Sequence, residues 1–123
     1  MGDPTKTIER GAVHWLKADG PDGAVQDYAH PYVVVQDDVF NRSRIATVVV
    51  CALTTNLGRI TEPGNVMLEP GEGGLPEQSV VVVSQILSVD KGRLGERIGV
   101  LSPERVEQVL AGMRFQQRSY FRG

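Results

Sequence analysis

Apolar positions fall in short β-branched runs along most of the chain, and in a helical stripe only near its end. The runs at 32–35 (YVVV), 45–53 (IATVVVCAL) and 78–89 (QSVVVVSQILSV) are rich in valine and isoleucine, a composition that fits a pleated, packed surface. Each predicts a strand. Four consecutive valines, 80–83, imply burial on both faces and a central strand, with Ser84 and Gln85 interrupting it where it leaves the core. Residues 10–17 (RGAVHWLK) read as a first strand, with Val13 and Trp15 on one face and His14 and Leu16 on the other. His14 is then expected to be partly exposed. Shorter strands are predicted at 66–68 and 97–101.

Turn formers separate these runs. Residues 18–29 hold Asp19-Gly20-Pro21-Asp22-Gly23, too dense in turn residues for a strand. Such a long connection serves either as a binding loop or as a solvated link. Pro63-Gly64 marks a turn, 69–76 (EPGEGGLP) a loop, and 90–95 a turn or a single helical turn. The glycines of 69–76 lack the ending and the context of a phosphate-binding loop. At the C-terminal end Ser102 is a favoured N-cap, Pro103 fits the first helical position and Glu104 suits the positive end of the dipole. Val106, Val109, Leu110 and Met113 then repeat at helical spacing, and Gly112 weakens the interior by about 1 kcal/mol relative to alanine. Strands first and one helix last predict an α+β fold: a small, partly closed antiparallel β-barrel with a C-terminal α-helix. Residues 1–9 read as a loose arm and 10–123 as a single domain.

Composition changes this picture little. A 123-residue chain supports one core. A net charge of −2 excludes broad attraction to polyanions, so any nucleic-acid contact must come from a local patch. One cysteine, Cys51, excludes an intrachain disulfide and reads as a small core residue. No apolar run approaches the roughly 20 residues that span a bilayer, and the N-terminus lacks a signal-peptide core. The mixed tail, with Phe115, Tyr120 and Phe121 among arginines, reads as packing on the sheet, supporting a dimer or contacting nucleic acid, packing being the favoured reading.

The chemistry follows from pairing. The runs at 32–35 and 45–53 are joined by a short polar connection, so as neighbours they are antiparallel. That brings the start of the first beside the end of the second. His30, held extended by Pro31, is thereby expected close to Thr54 on the rim of the sheet.

The ordered landmarks RGAVHW, HPYVVVQDDVFNRS, VVVCALTTN and GLPEQSVVVVSQILSVDKGRLGERIGVLSPERVEQV resemble the MazF/PemK family of bacterial toxin endoribonucleases over about residues 10–114. The resemblance implies an SH3-like barrel, a homodimer and cytoplasmic cleavage of single-stranded RNA without metal or cofactor. It also implies restraint by a cognate antitoxin whose extended tail covers the RNA groove. Thr54 matches the family's strand-end threonine. His30 stands where the family has its catalytic arginine. Ala24 stands where some members have a histidine; Val82 and Ser84 occupy strand positions that are Arg or Asp in others; Gln85 is retained; Leu87 replaces a frequent arginine. Asp90, Lys91, Arg93 and Leu94 fit the family and read as structural. The groove is assigned Gln26 of the 18–29 loop, Asn56, Arg59, Ser84 and Gln85. Metal-free RNA cleavage needs a proton acceptor for the 2′-hydroxyl and charge stabilisation at phosphorus. Histidine exchanges protons near neutral pH where arginine supplies fixed charge. Two readings follow for His30: general acid/base of an active nuclease, or the mark of a weak relative that only binds RNA or a protein partner.

Overall fold

The structure, a computed structural model, describes residues 8–17 and 31–121. The chain runs through β1 (Ala12–Leu16), β2 (Pro31–Val34), the single-turn helix α1 (Asp38–Asn41), β3 (Thr47–Thr54), β4 (Val66–Leu68), β5 (Ser79–Asp90), β6 (Leu94–Val100) and α2 (Pro103–Phe121). Short 3-10 turns occupy Leu57–Thr61, Glu72–Gly74 and Lys91–Arg93. The six strands form one antiparallel sheet in the order β4-β5-β3-β2-β1-β6, which confirms the α+β class. Pro31 opens β2, where its missing N–H removes least from the ladder. The arm before residue 8, the 18–29 loop and His30 lie outside the described residues.

Apolar residues are buried on both faces. One cluster joins Val13, Val33, Cys51, Leu53, Val81 and Val83 to the α2 stripe of Val106, Val109, Leu110 and Met113. The other holds Ala12, Val34, Val48, Val50 and Val89. Valines 80–83 are all 0% exposed, as their run predicts. Between β3 and β5 the register slips: Cys51 faces Ile86, but Ala52 faces Val82, so residues 83–85 have no partner on β3. The slip is odd, and it therefore inverts which positions face which core. Val81 and Val83 serve the helix-side cluster before it, Ile86 after it, while Val89 joins the opposite cluster.

Strand pairing does not close the sheet. The gap between β4 and β6 is spanned by the 71–75 turn, where Gly74 (φ +77°) lies so close to β6 that an added Cβ would stand 2.2 Å from the Ile98 carbonyl oxygen. Arg105 of α2 holds the same turn through Nε and Nη2 to the two Glu72 carboxylate oxygens, both at 2.9 Å. Ser102 caps α2 by accepting from the Arg105 N–H at 3.2 Å.

Two expectations are corrected. His14 is 1% exposed, because Ile8, Leu16 and Leu94 pack on the Ala12 side of β1 and the His14 ring reaches the Gly95 carbonyl oxygen of β6. Phe115 is 53% exposed, beyond the point at which α2 still meets the sheet.

Gly112 is not a weak point of the helix. An added Cβ there would meet the Gly64 carbonyl oxygen at 2.2 Å, so α2 and the 62–65 turn touch through backbone. Gly112→Ala should destabilise by about 1–3 kcal/mol despite alanine's better helix propensity. Gly92→Ala, with open space at the same test, should stay within about 0.5 kcal/mol of the parent. Urea denaturation of the two variants checks this; a stabilised Gly112→Ala contradicts the contact.

Candidate functional site

The end of β3 leads directly into a polar rim. Thr54 is half-buried, and its hydroxyl oxygen accepts from the Asn56 N–H at 3.1 Å. That contact uses a lone pair and leaves the hydroxyl hydrogen to donate elsewhere. Asn56 is the N-cap of the Leu57–Thr61 turn, its side-chain oxygen accepting from the Gly58 N–H at 3.1 Å. The turn's next residue but one from Leu57 is Arg59, which faces back toward β5.

Arg59 is held by Glu62. Its Nε donates to one carboxylate oxygen and its Nη2 to the other at 3.0 Å. These hydrogen bonds hold the Glu62 carboxyl below the usual carboxylate range and raise the guanidinium further. Arg59 is therefore one half of an ion pair, its side chain 30% exposed. Nη1 is not used by Glu62.

The unmatched stretch of β5 supplies the opposite wall. Ser84 and Gln85 are exposed on it. Together Tyr32, Thr54, Arg59, Ser84, Gln85 and Leu87 line one cleft of about 450 Å³ at the rim of the sheet. Four of the residues that the sequence assigns to the site, Thr54, Arg59, Ser84 and Gln85, thus come together. Asn56 does not line the cleft; it shapes the turn beside it. Gln26 and His30 lie outside the described residues. A smaller cavity of about 240 Å³ shares Thr54 and is bordered by Pro31, Trp15 and Ile98.

Sequence reading missed Tyr32, Glu62 and Asn65. Tyr32 reads as one of the apolar residues of its strand, yet it pairs with Ala52, two positions before Thr54 and so on Thr54's face. The spacing Arg59…Glu62 was the available sign of the ion pair. Nothing in the spacing marked Asn65.

Lys91 and Arg93 prove structural. Lys91 donates to the carbonyl oxygens of Phe40, Asn41 and Ser43, capping α1, and Arg93 donates to the Lys17 carbonyl oxygen at 2.9 Å. Cys51 is buried, with its thiol donating to the Val82 carbonyl oxygen; burial pushes it up to about 12, away from any nucleophilic form. Among the described residues no three His, Cys, Asp or Glu side chains are grouped to hold a metal ion, and no helix is long and apolar enough to cross a membrane.

The fold belongs to a known class. Residues 9–116 match the family described as PemK-like, MazF-like toxin of type II toxin-antitoxin systems. The chain belongs to that family. It is 34% identical over 107 residues to the Mycobacterium tuberculosis protein named Endoribonuclease MazF6, covering 87% of this chain and 94% of that one. Endoribonuclease MazF2 of Mycobacterium bovis matches to the same extent. Among solved structures, a mycobacterial endoribonuclease superposes with a TM-score of 0.67 at 25% identity, over 90% of this chain and 91% of that one. A mycobacterial endoribonuclease in complex with its cognate antitoxin gives 0.68 at 25%, over 86% and 90%.

His14 lines a different cleft, with Lys17, Lys91 and Glu96, its Nδ1 3.0 Å from the Gly95 carbonyl oxygen. Burial lowers its pKa, against the opposing pull of the Gly95 bond. The unfolded chain, with histidine near 6.5, then takes up a proton that the folded chain refuses. This contribution to stability is complete above about pH 6.5 and is lost as the pH falls from there through the lower folded value. His14→Gln should flatten the stability–pH curve in that window, as read by urea denaturation at closely spaced pH values. An unchanged slope contradicts a buried neutral His14.

Proposed function

We propose that the protein is a toxin endoribonuclease that cleaves single-stranded RNA without a metal at the Thr54 cleft, acts in the cytoplasm and is neutralised by a cognate antitoxin. The observation that carries the assignment of the cleft is the convergence of Thr54, Arg59, Ser84 and Gln85 on one cavity. Hydroxyl, guanidinium and amide groups are those that bind phosphate and base edges. Tyr32 adds an aromatic surface for a base to stack on.

In the proposed reaction the 2′-hydroxyl attacks the adjacent phosphorus. Its proton passes to a base, the 5′-oxygen leaves with a proton, and the products carry a 2′,3′-cyclic phosphate and a 5′-hydroxyl. Thr54 donates its free hydroxyl hydrogen to a non-bridging oxygen, and Arg59 offers Nη1 beside it. No histidine or carboxylate is among the described residues lining the cleft. Of the chain's two histidines, His14 lies in another cleft. His30 is bonded to Pro31, which borders the cavity shared with Thr54. That adjacency along the chain supports His30 as the proton carrier. The Arg59–Glu62 pair favours the second reading in its catalytically weak form, because the carboxylate offsets the charge that Arg59 offers at phosphorus.

Phe40 and Phe115 are each 53% exposed, which supports a homodimer that covers apolar surface. Light scattering at micromolar concentration should return twice the chain mass of 13.4 kDa; a concentration-independent monomer contradicts it.

Cleavage of an unstructured transcript in EDTA, with mapping of the cut ends, tests the function. His30→Ala should lose about 10²–10⁴-fold in rate with the fold intact. Thr54→Val should lose less. A His30→Ala variant as fast as the parent removes His30 from the mechanism. A His30→Arg variant far more active than the parent favours the binding-only reading of the natural chain.

A further inference from the structure

One side chain ties both walls of the cleft together, and it lines neither. Asn65 precedes β4 and is half-buried. Its side-chain oxygen accepts from the Val83 N–H at 3.0 Å, where the slipped register leaves β5 without a partner on β3. Its side-chain nitrogen donates to the Arg59 carbonyl oxygen at 2.8 Å and to Glu62 Oε1 at 3.2 Å. The amide orientation is dictated from both sides, because one neighbour only donates and the others only accept. Its own N–H reaches the Glu62 carbonyl oxygen at 3.3 Å.

We infer that Asn65 is a positioning residue for RNA: it sets the distance between the Arg59 turn and the Ser84–Gln85 wall. Ser84 directly follows the residue whose N–H Asn65 holds. Arg59 is the residue whose carbonyl it holds, and Glu62, the other acceptor, orients the Arg59 guanidinium. No other described side chain bonds to both segments. Only a primary amide at this depth supplies an acceptor toward β5 and donors toward the turn at once. Aspartate keeps the acceptor and loses both donors, besides setting a second carboxylate against Glu62. Alanine loses everything.

The inference rests on the reading of this cleft as the RNA site, so Arg59→Ala is run alongside to separate the two. The experiment is steady-state cleavage of one long single-stranded transcript in EDTA. KM and kcat are measured well below the melting temperature, with circular dichroism confirming that each variant is folded. Asn65→Asp should raise KM about tenfold, the order expected for losing hydrogen bonds that orient a charged group, while kcat falls less. Asn65→Ala should raise KM at least as much; if it does not fold, Asn65→Asp decides. Arg59→Ala should raise KM as well. If Arg59→Ala raises KM and Asn65→Asp leaves it unchanged, the positioning role is overturned and the cleft assignment stands. A lower apparent kcat at constant KM, in step with a lost folded fraction, makes Asn65 merely structural and equally overturns the inference. If Arg59→Ala leaves KM at the parent value, or the parent neither cuts nor binds the transcript, the cleft assignment fails and takes the inference with it.

Discussion

The slip between β3 and β5 is the constraint on which the rest of the molecule depends. A strand that buries both faces tolerates no unpaired backbone, since a buried donor or acceptor without a partner costs about 1–3 kcal/mol. Around residues 82 and 83 two such groups are met by side chains: the Cys51 thiol donates to the Val82 carbonyl oxygen and Asn65 accepts from the Val83 N–H. With those groups satisfied, β5 can turn Ser84 and Gln85 out of the core without opening it. The same odd slip exchanges the faces of the strand, so Ile86 and Val89 still find apolar surroundings. Irregular pairing of this kind often re-aims side chains beside a functional site.

The cleft lies at a rim because that is where ordered strands stop. Thr54 ends β3, Asn56 caps the turn that follows, and the turn folds Arg59 back over β5. The chain carries a net charge of −2, and the cleft's guanidinium already has a carboxylate partner. Recognition of RNA on such a surface depends on a few shaped contacts more than on long-range attraction. The 71–75 turn and α2 brace the opposite side through Gly74, Gly112 and the Arg105–Glu72 pair. A rigid sheet with one irregular rim is a suitable platform for holding a flexible strand.

Much of this was legible beforehand. The valine run, the short strand at 66–68, the Ser102-Pro103 helix start and the antiparallel pairing of β2 with β3 all follow from local composition, and local composition agrees with the fold at those places. Grouping Thr54, Arg59, Ser84 and Gln85 required the ordered family landmarks, since no spacing joins residue 54 to residue 84. Other features were hidden for a physical reason. Burial of His14 depends on Ile8, Leu94 and Gly95, residues outside its own strand. The cost of Gly112 was read from helix propensity, whereas its value comes from a carbonyl on another segment. Asn65 sits in what reads as an ordinary Pro-Gly turn; its task exists only because β5 slips.

The central claim is that RNA occupies the cleft between Thr54, Arg59 and the Ser84–Gln85 wall. Titration of isotope-labelled protein with a single-stranded oligonucleotide carrying 2′-O-methyl groups, which cannot supply the attacking hydroxyl, reads it directly through backbone amide shifts. The perturbed amides should concentrate at residues 54–59 and 83–87, with those of the His14–Gly95 cleft unmoved. Shifts confined to the His14–Gly95 cleft, with residues 54–59 and 83–87 silent, would contradict it.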